Sequence, residues 1–204
     1  MRIAFTGTHG GGKSVLAEIL VEHLNENGKL LKHQLIDNVV TDTAKKMGYD
    51  RSSLVPYWRK AELQWVSLAN QMSAQIKAQN FVSPRSPICY AAYSGLADRL
   101  GQVDMRYSAV EFQNRGMQFA NPYYDVCKQY AETYDFIFYI PKNSGKLENN
   151  GKRFTDHVEE IDEYIKQMIS DFGLSEKVHF IQSDTPQSRL HEVLEVIRRP
   201  AMRF

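Results

Sequence analysis

The chain has 204 residues, 43% hydrophobic and 24% charged, enough for a single domain spanning 1–204 with a sizeable core. Its net charge of +1 excludes a global field that would draw it to nucleic acid or an anionic membrane, and no apolar run is long enough to cross a bilayer. Two cysteines, Cys89 and Cys127, have no metal-ligand spacing and make no disulfide framework, which points to a reducing cytoplasm.

Residues 2–6, Arg-Ile-Ala-Phe-Thr, read as a short buried strand that runs into a glycine cluster, unlike a secretory leader. From Lys13 to Asn27 the residues Leu16, Ile19, Leu20 and Leu24 recur at helical spacing, and Asn27-Gly28 stops that helix. Leu30 to Ile36 reads as a second strand, and Val39 to Met47 as a short helix closed by Gly48. Residues 57–80 carry the longest helical pattern, with Ala61, Trp65, Leu68, Ala69, Met72 and Ile76 as its apolar stripe. Phe81-Val82-Ser83 is a third strand broken by Pro84, and Pro87 opens a helix that continues through Leu100. Residues 106–131 are mostly helical, with breaks near Gly116 and Asn121-Pro122; they can pack in the core or form a homodimer contact.

Tyr134 to Ile140 is the clearest strand, closed by Pro141. Residues 142–153 are polar and read as a loop. The helix from Thr155 to Phe172 buries Val158, Ile161, Ile165, Met168, Ile169 and Phe172, with Thr155 able to cap it. Lys177 to Gln182 is the last strand, and Leu190, Val193, Leu194 and Ile197 mark the last helix. Strands alternating with helices predict an α/β three-layer sandwich around a five-stranded, mostly parallel sheet. Ligands of such sheets sit at the carboxyl ends of the strands. The segments to inspect are therefore 7–14, 37–41, 83–86 and 141–153.

Gly7-Thr8-His9-Gly10-Gly11-Gly12-Lys13-Ser14 matches the P-loop pattern G-x-x-x-x-G-K-[ST] at every fixed position. A strand precedes it and an amphipathic helix follows, which is the context the pattern requires. Glycines let the backbone curl so that successive N–H groups point at phosphates, and the helix N-terminus adds its dipole. Lys13 is then the residue for the β- and γ-phosphates, and the Ser14 hydroxyl the ligand for Mg2+. All eight residues are candidates for binding ATP, although His9 fills a variable position and also reads as a solvated loop histidine. Arg85, at the end of the third strand, has the planar fork that suits a phosphate or a substrate oxygen.

The opening strand with its P-loop, the long helix with Gln64, the Arg85 turn and the loop ending in Gly151-Lys152-Arg153 stand in a familiar order. In this the chain resembles, over nearly its whole length, the AAA-domain ATPase/kinase family that includes nicotinamide riboside kinases and is related to nucleoside and nucleotide kinases. The resemblance implies a P-loop kinase fold, ATP and magnesium as cofactors, and a nucleoside or nucleotide as acceptor. It implies that Gln64 reads a nucleobase edge, a position that also suits an ordinary polar face residue. It implies that a segment at about 142–154 is a lid, with Arg153 neutralising charge on the transferring phosphoryl group.

Two departures from the family pattern stand out. Such kinases carry D-R-S-P-x-D after the third strand, where this chain has Pro84-Arg85-Ser86-Pro87-Ile88-Cys89. The first aspartate of the pattern acts near magnesium or the acceptor hydroxyl, and proline can do neither. Asp37, at the end of the second strand, is the best-placed substitute; Asp98 and Asp104 are more remote. Relatives also show E-x-x-R after the second strand, where Asn38-Val39-Val40-Thr41 places a neutral pair. Asn38 and Thr41 are thus the candidates for holding the acceptor.

The leading expectation is magnesium-assisted transfer of the ATP γ-phosphoryl group to a small acceptor. An ATPase or nucleotide-dependent switch is the alternative that the missing aspartates favour. A kinase acting on nucleic acid is kept open by Tyr57-Trp58 beside Arg59-Lys60, since aromatics and cations together can hold a strand. A protein that binds ATP without catalysis is the fourth possibility.

Overall fold

Alternation along the strands decides the layering. In β1 (Arg2–Thr6), Ile3 and Phe5 enter one buried cluster and Ala4 enters another. The same split recurs in β3 (Phe81–Ser83), where Val82 opposes Phe81, and in β4 (Phe136–Tyr139), where Phe138 opposes Ile137 and Tyr139. Successive side chains of a strand point to opposite faces, so a strand that is apolar throughout needs a cover on both. The computed structural model, which describes residues 1–27, 32–49, 57–103, 122–141 and 157–199, supplies both covers.

On one face lie α1 (Lys13–Asn27) and α7 (Pro186–Arg198), packing Leu16, Leu20, Val193 and Leu194 against Phe5, Val82 and Phe138. The other face carries α3 (Tyr57–Ile76), α4 (Pro87–Val103), the helix described over residues 122–132 (α5) and α6 (Val158–Asp171). Leu68, Ile88, Tyr130, Ile161 and Ile165 from these helices meet Ala4, Phe81 and Ile137. The short α2 (Val39–Lys46) packs on α3. With β2 (Gln34–Leu35) and β5 (Val178–Phe180), the sheet has five strands in the order β2-β3-β1-β4-β5. Every pairing is parallel, with Ala4 opposite Ser83 on one side and Ile137 on the other. The protein is thus an α/β three-layer sandwich, wholly rather than mostly parallel in its strand pairings.

Several sequence expectations are corrected. Strands four and five are shorter than read, at Phe136–Tyr139 and Val178–Phe180, although the Ile140 and Ile181 N–H groups still bond the neighbouring strands. Of the second, Gln34–Leu35 is strand and residues 30 and 31 lie outside the described residues. Helix α3 ends at Ile76 rather than at residue 80, and its buried face is rotated from the expected stripe. Ile76 is 74% exposed and Ala69 is exposed, whereas Gln64, Ser67, Gln71 and Gln75 are buried. The reason is internal hydrogen bonding. Tyr90 donates to Gln71 Oε1 at 2.7 Å, and Tyr130 and Tyr134 both donate to Gln75 Oε1 at 2.7 Å. These bonds to the carboxamide oxygens offset much of the cost of turning a polar stripe inward, although Gln75 Nε2 is buried without a hydrogen-bond partner among the described residues. The described start of α6 has His157 at its N-cap, without a side-chain capping bond; Thr155 lies outside the described residues.

The described part of the 106–131 segment packs in the core through Tyr123, Cys127, Tyr130 and Ala131. Burial pushes the Cys127 thiol up to about 12, which keeps it protonated and unreactive at neutral pH. No helix among the described residues is long and apolar enough to cross a membrane.

Candidate functional site

The glycine loop leaves the carboxyl end of β1, the central strand, and delivers the chain into α1. Gly7, Gly10 and Gly12 take φ values of 135°, 74° and 81°, which side-chain-bearing residues rarely adopt. Gly7 has a second reason. A Cβ there would overlap the Ile140 carbonyl oxygen at the end of β4. Gly7→Ala is therefore expected to lose about 2–5 kcal/mol of stability through strain and overlap together. A urea midpoint equal to that of the unsubstituted protein would show that the loop yields without cost.

Lys13 is partly buried and its Nζ donates to the Thr8 carbonyl, folding the ammonium over the loop. Ser14 is exposed in the first turn of α1. Leu16 N–H reaches back to the Gly12 carbonyl at 3.0 Å, so the helix begins inside the glycine motif. His9 is half-buried, with its ring 4.9 Å from that of Tyr93 on α4.

The neighbouring strand β3 ends at Ser83 and is followed by Pro84 and Arg85. Arg85 is held at both its backbone and its side chain. Its carbonyl accepts from Gln71 Nε2 at 2.8 Å and from Ser83 Oγ at 3.0 Å. Its guanidinium donates to Gln64 Oε1 at 2.5 Å. The charge also lies 4.5 Å and 4.8 Å from the ring centres of Tyr90 and Tyr93, in range of cation–π attraction to both. Its Nε is buried without a hydrogen-bond partner among the described residues. Gln64 is 6% exposed, and its carboxamide oxygen faces Arg85 rather than solvent.

Cys89, in the first turn of α4, has a position the sequence reading treated only as a lost carboxylate. Its Sγ lies 3.1 Å from Thr6 Oγ1 and 3.9 Å from both the Gly7 carbonyl and Ser86 Oγ, and the residue is 1% exposed. Burial pushes the thiol up, but the charges of Lys13 and Arg85, with bonds to Thr6 and Gly7, outweigh it and hold the thiol below its ordinary value. The two cations thus act on one buried sulfur from the segments that follow two adjacent strands, β1 and β3. The motif alignment marked the position; the chemistry of its surroundings needed the fold.

Asp37 follows β2, two strands from the P-loop. Its Oδ1 accepts from the Asn38 N–H at 2.6 Å. Burial raises the Tyr90 hydroxyl, Arg85 opposes it, and Asp37 adds the smallest of the upward contributions. Asn38 has φ 60°, is exposed and precedes α2, while Thr41 lies half-exposed in the first turn. Asp37 also lines an open cavity of about 290 Å³ between α2 and α3, with Asp42, Lys46, Asn70 and Lys77. Asp98 is on α4, where its side chain is not described; Asp104, Arg153 and the lid-like 142–154 segment lie outside the described residues.

Arg189 was missed by the sequence reading. It is 3% exposed on α7, yet its Nη1 donates to the Gly11 carbonyl at 2.6 Å. Nothing in an amphipathic helix marks one arginine as reaching a loop so distant in sequence.

The sequence profile of an AAA domain family matches residues 2–189, and the chain belongs to that family. No curated protein sequence matches it. Among solved structures it is similar to NadR protein in complex with NR, at 15% identity and TM-score 0.62, covering 96% of this chain and 49% of that one. It is also similar to deoxyadenosine kinase from M. mycoides with products bound, at 11% identity and TM-score 0.64, covering 97% and 98%. Thymidylate kinase from Ehrlichia chaffeensis follows at 14% identity and TM-score 0.56, again covering 97% and 98%. The chain spans about half the length of the NadR chains it matches. At these identities the likeness is one of fold, and that fold is shared by P-loop kinases.

Proposed function

We propose that the protein transfers the γ-phosphoryl group of ATP, with magnesium, to a small acceptor of the nucleoside or nucleotide class. One observation carries the reading. Lys13, folded over the glycine loop that follows β1, and Arg85, caged in the turn that follows the neighbouring parallel strand β3, stand at the same carboxyl edge of the sheet. A nucleotide-holding loop needs the first cation; transfer to a second molecule benefits from another fixed charge facing the reaction. The kinase neighbours, which include a deoxyadenosine kinase and a thymidylate kinase, support the acceptor class.

In this reading the backbone N–H groups of residues 7–14 cradle the phosphates and Lys13 binds the β- and γ-phosphates. Mg2+ fits the donors present, since it takes one or two protein ligands with phosphates and water, and the Ser14 side chain is open to solvent. Among the described residues no group of three or more His, Cys, Asp and Glu forms a separate metal cage. When bound, the ion would be held by Ser14 and would neutralise charge on the phosphates. Arg85 orients the phosphoryl group or the acceptor, Asp37 takes the acceptor proton, and Asn38, Thr41 and Gln64 line the acceptor side. Arg153 closes over the triphosphate from the 142–154 segment. The whole chain acts as one domain with that segment as its lid.

Acceptor-independent ATP hydrolysis is the second reading. Pro84 and Cys89 favour it, because neither supplies the carboxylates of the related motif. Action on nucleic acid has less support, since Arg59 lies over the Tyr49 ring at 5.6 Å and is already engaged within the protein. The deciding measurement is ADP release from MgATP, alone and with nucleosides, nucleoside monophosphates, nicotinamide riboside and short DNA ends. Stimulation by one small acceptor is the expected result. Equal release with and without every acceptor would replace the kinase reading with an ATPase or switch.

A further inference from the structure

A loop built on Gly7, Gly10, Gly11 and Gly12 does not set its own shape, because glycine has many backbone states to choose from. Something outside the loop must select one. Arg189 is placed to do so. It stands in the first turn of α7, whose start is fixed by a reciprocal capping box between Thr185 and Ser188. Its Nε donates to the Ser183 carbonyl at 2.7 Å, just beyond β5, and its Nη1 to the Gly11 carbonyl at 2.6 Å. The same Nη1 is 3.6 Å from where a Gly12 Cβ would stand. Burying a guanidinium is costly unless charged hydrogen bonds offset the lost water, and here two of those bonds hold backbone carbonyls of two separate loops.

The geometry of a trans peptide gives the contact a directional consequence. Within one peptide plane the C=O and the following N–H point opposite ways. A Gly11 carbonyl held toward α7 therefore turns the Gly12 N–H away from α7. We propose that Arg189 is a positioning residue for the phosphate-binding loop: by holding the Gly11 carbonyl it keeps the Gly12 N–H aimed at the phosphates, and it ties the loop to the Ser183–Thr185 connection. This rests on the reading of residues 7–14 as the ATP site. Arg189 sets the fraction of molecules whose loop is ready to bind, and affinity scales with that fraction; it does not touch the reacting atoms.

The test uses the full chain with Arg189→Lys and Arg189→Met, measuring MgATP and MgADP binding by calorimetry and the thermal midpoint of each protein. Arg189→Met is expected to weaken both nucleotides by roughly tenfold or more, as loss of a charged hydrogen bond that orders the site requires. Arg189→Lys, which keeps the charge but can reach only one carbonyl, should fall between. With any responsive acceptor, the KM for ATP should rise while kcat at saturating ATP stays within about twofold, the pattern of lost uniform binding. Folded variants with lower thermal midpoints but unchanged nucleotide affinity would overturn the inference, leaving Arg189 a purely structural residue. Should Arg189→Met fail to fold, wild-type affinity in folded Arg189→Lys would overturn it equally. Absence of MgATP binding by the unsubstituted chain would instead refute the nucleotide reading, and this inference with it.

Discussion

Lys13→Ala is expected to abolish MgATP-dependent turnover, a fall of at least about a hundred- to thousandfold, while leaving the protein folded. The size follows from removing a fixed cation from a site where phosphate charge develops. The fold should survive because Lys13 is at the start of α1, is only partly buried, and its Nζ donates to the Thr8 carbonyl within the same loop. The two covers of the sheet, drawn from Leu16 and Leu20 on one face and Leu68 and Ile88 on the other, do not involve it. The measurement is ADP release beside a urea unfolding curve. Unchanged turnover in a folded variant would defeat the whole nucleotide reading. A lost fold would show that the lysine holds the loop structurally.

Arg85→Met should have the second-largest effect. It removes the guanidinium from the cage of Gln64, Tyr90 and Tyr93 but leaves the backbone at residue 85 held by Gln71 and Ser83. The expected result is a loss of about a hundred- to thousandfold in kcat, with ATP affinity changed little. Stability should fall by about 1–3 kcal/mol, because the Gln64 oxygen is left buried without its donor. Arg85→Lys should not restore activity. An ammonium cannot present the planar fork or lie flat between two rings. Equal losses in kcat and ATP affinity would move Arg85 from the acceptor side of the site to the nucleotide side. Full activity in either variant would remove it from the mechanism.

Both predictions rest on residues visible before the fold was known, and the reason is local. The P-loop is a contiguous pattern whose parts act within a few residues of one another, so Gly7 to Ser14 could be read directly, along with β1 and α1 at the bounds observed. Arg85 was legible because it follows a strand, and strand ends of a parallel sheet face one side. Strands alternating with helices announced a parallel sheet covered on both faces, and the apolar and aromatic run of β4 agrees.

What the sequence by itself could not determine is where polarity would be buried. The stripe drawn through Ala69 and Ile76 assumed that oil turns inward, but Gln64, Gln71 and Gln75 are inside because Arg85, Tyr90, Tyr130 and Tyr134 are there to meet them. Those partners come from α4, α5, the turn after β3 and the residues before β4, and only packing brings them to one face of α3. Cys89 and Arg189 teach the same lesson. One is a thiol made more acidic by cations at the start of α1 and in the turn after β3, and the other a buried charge satisfied by carbonyls of two loops. Covalent order along the chain determined the phosphate loop and the layered sheet, because those depend on short-range spacing. Tertiary structure decided the surroundings of each charge, because electrostatics and hydrogen bonding act between atoms that are near in space however far apart they are in sequence.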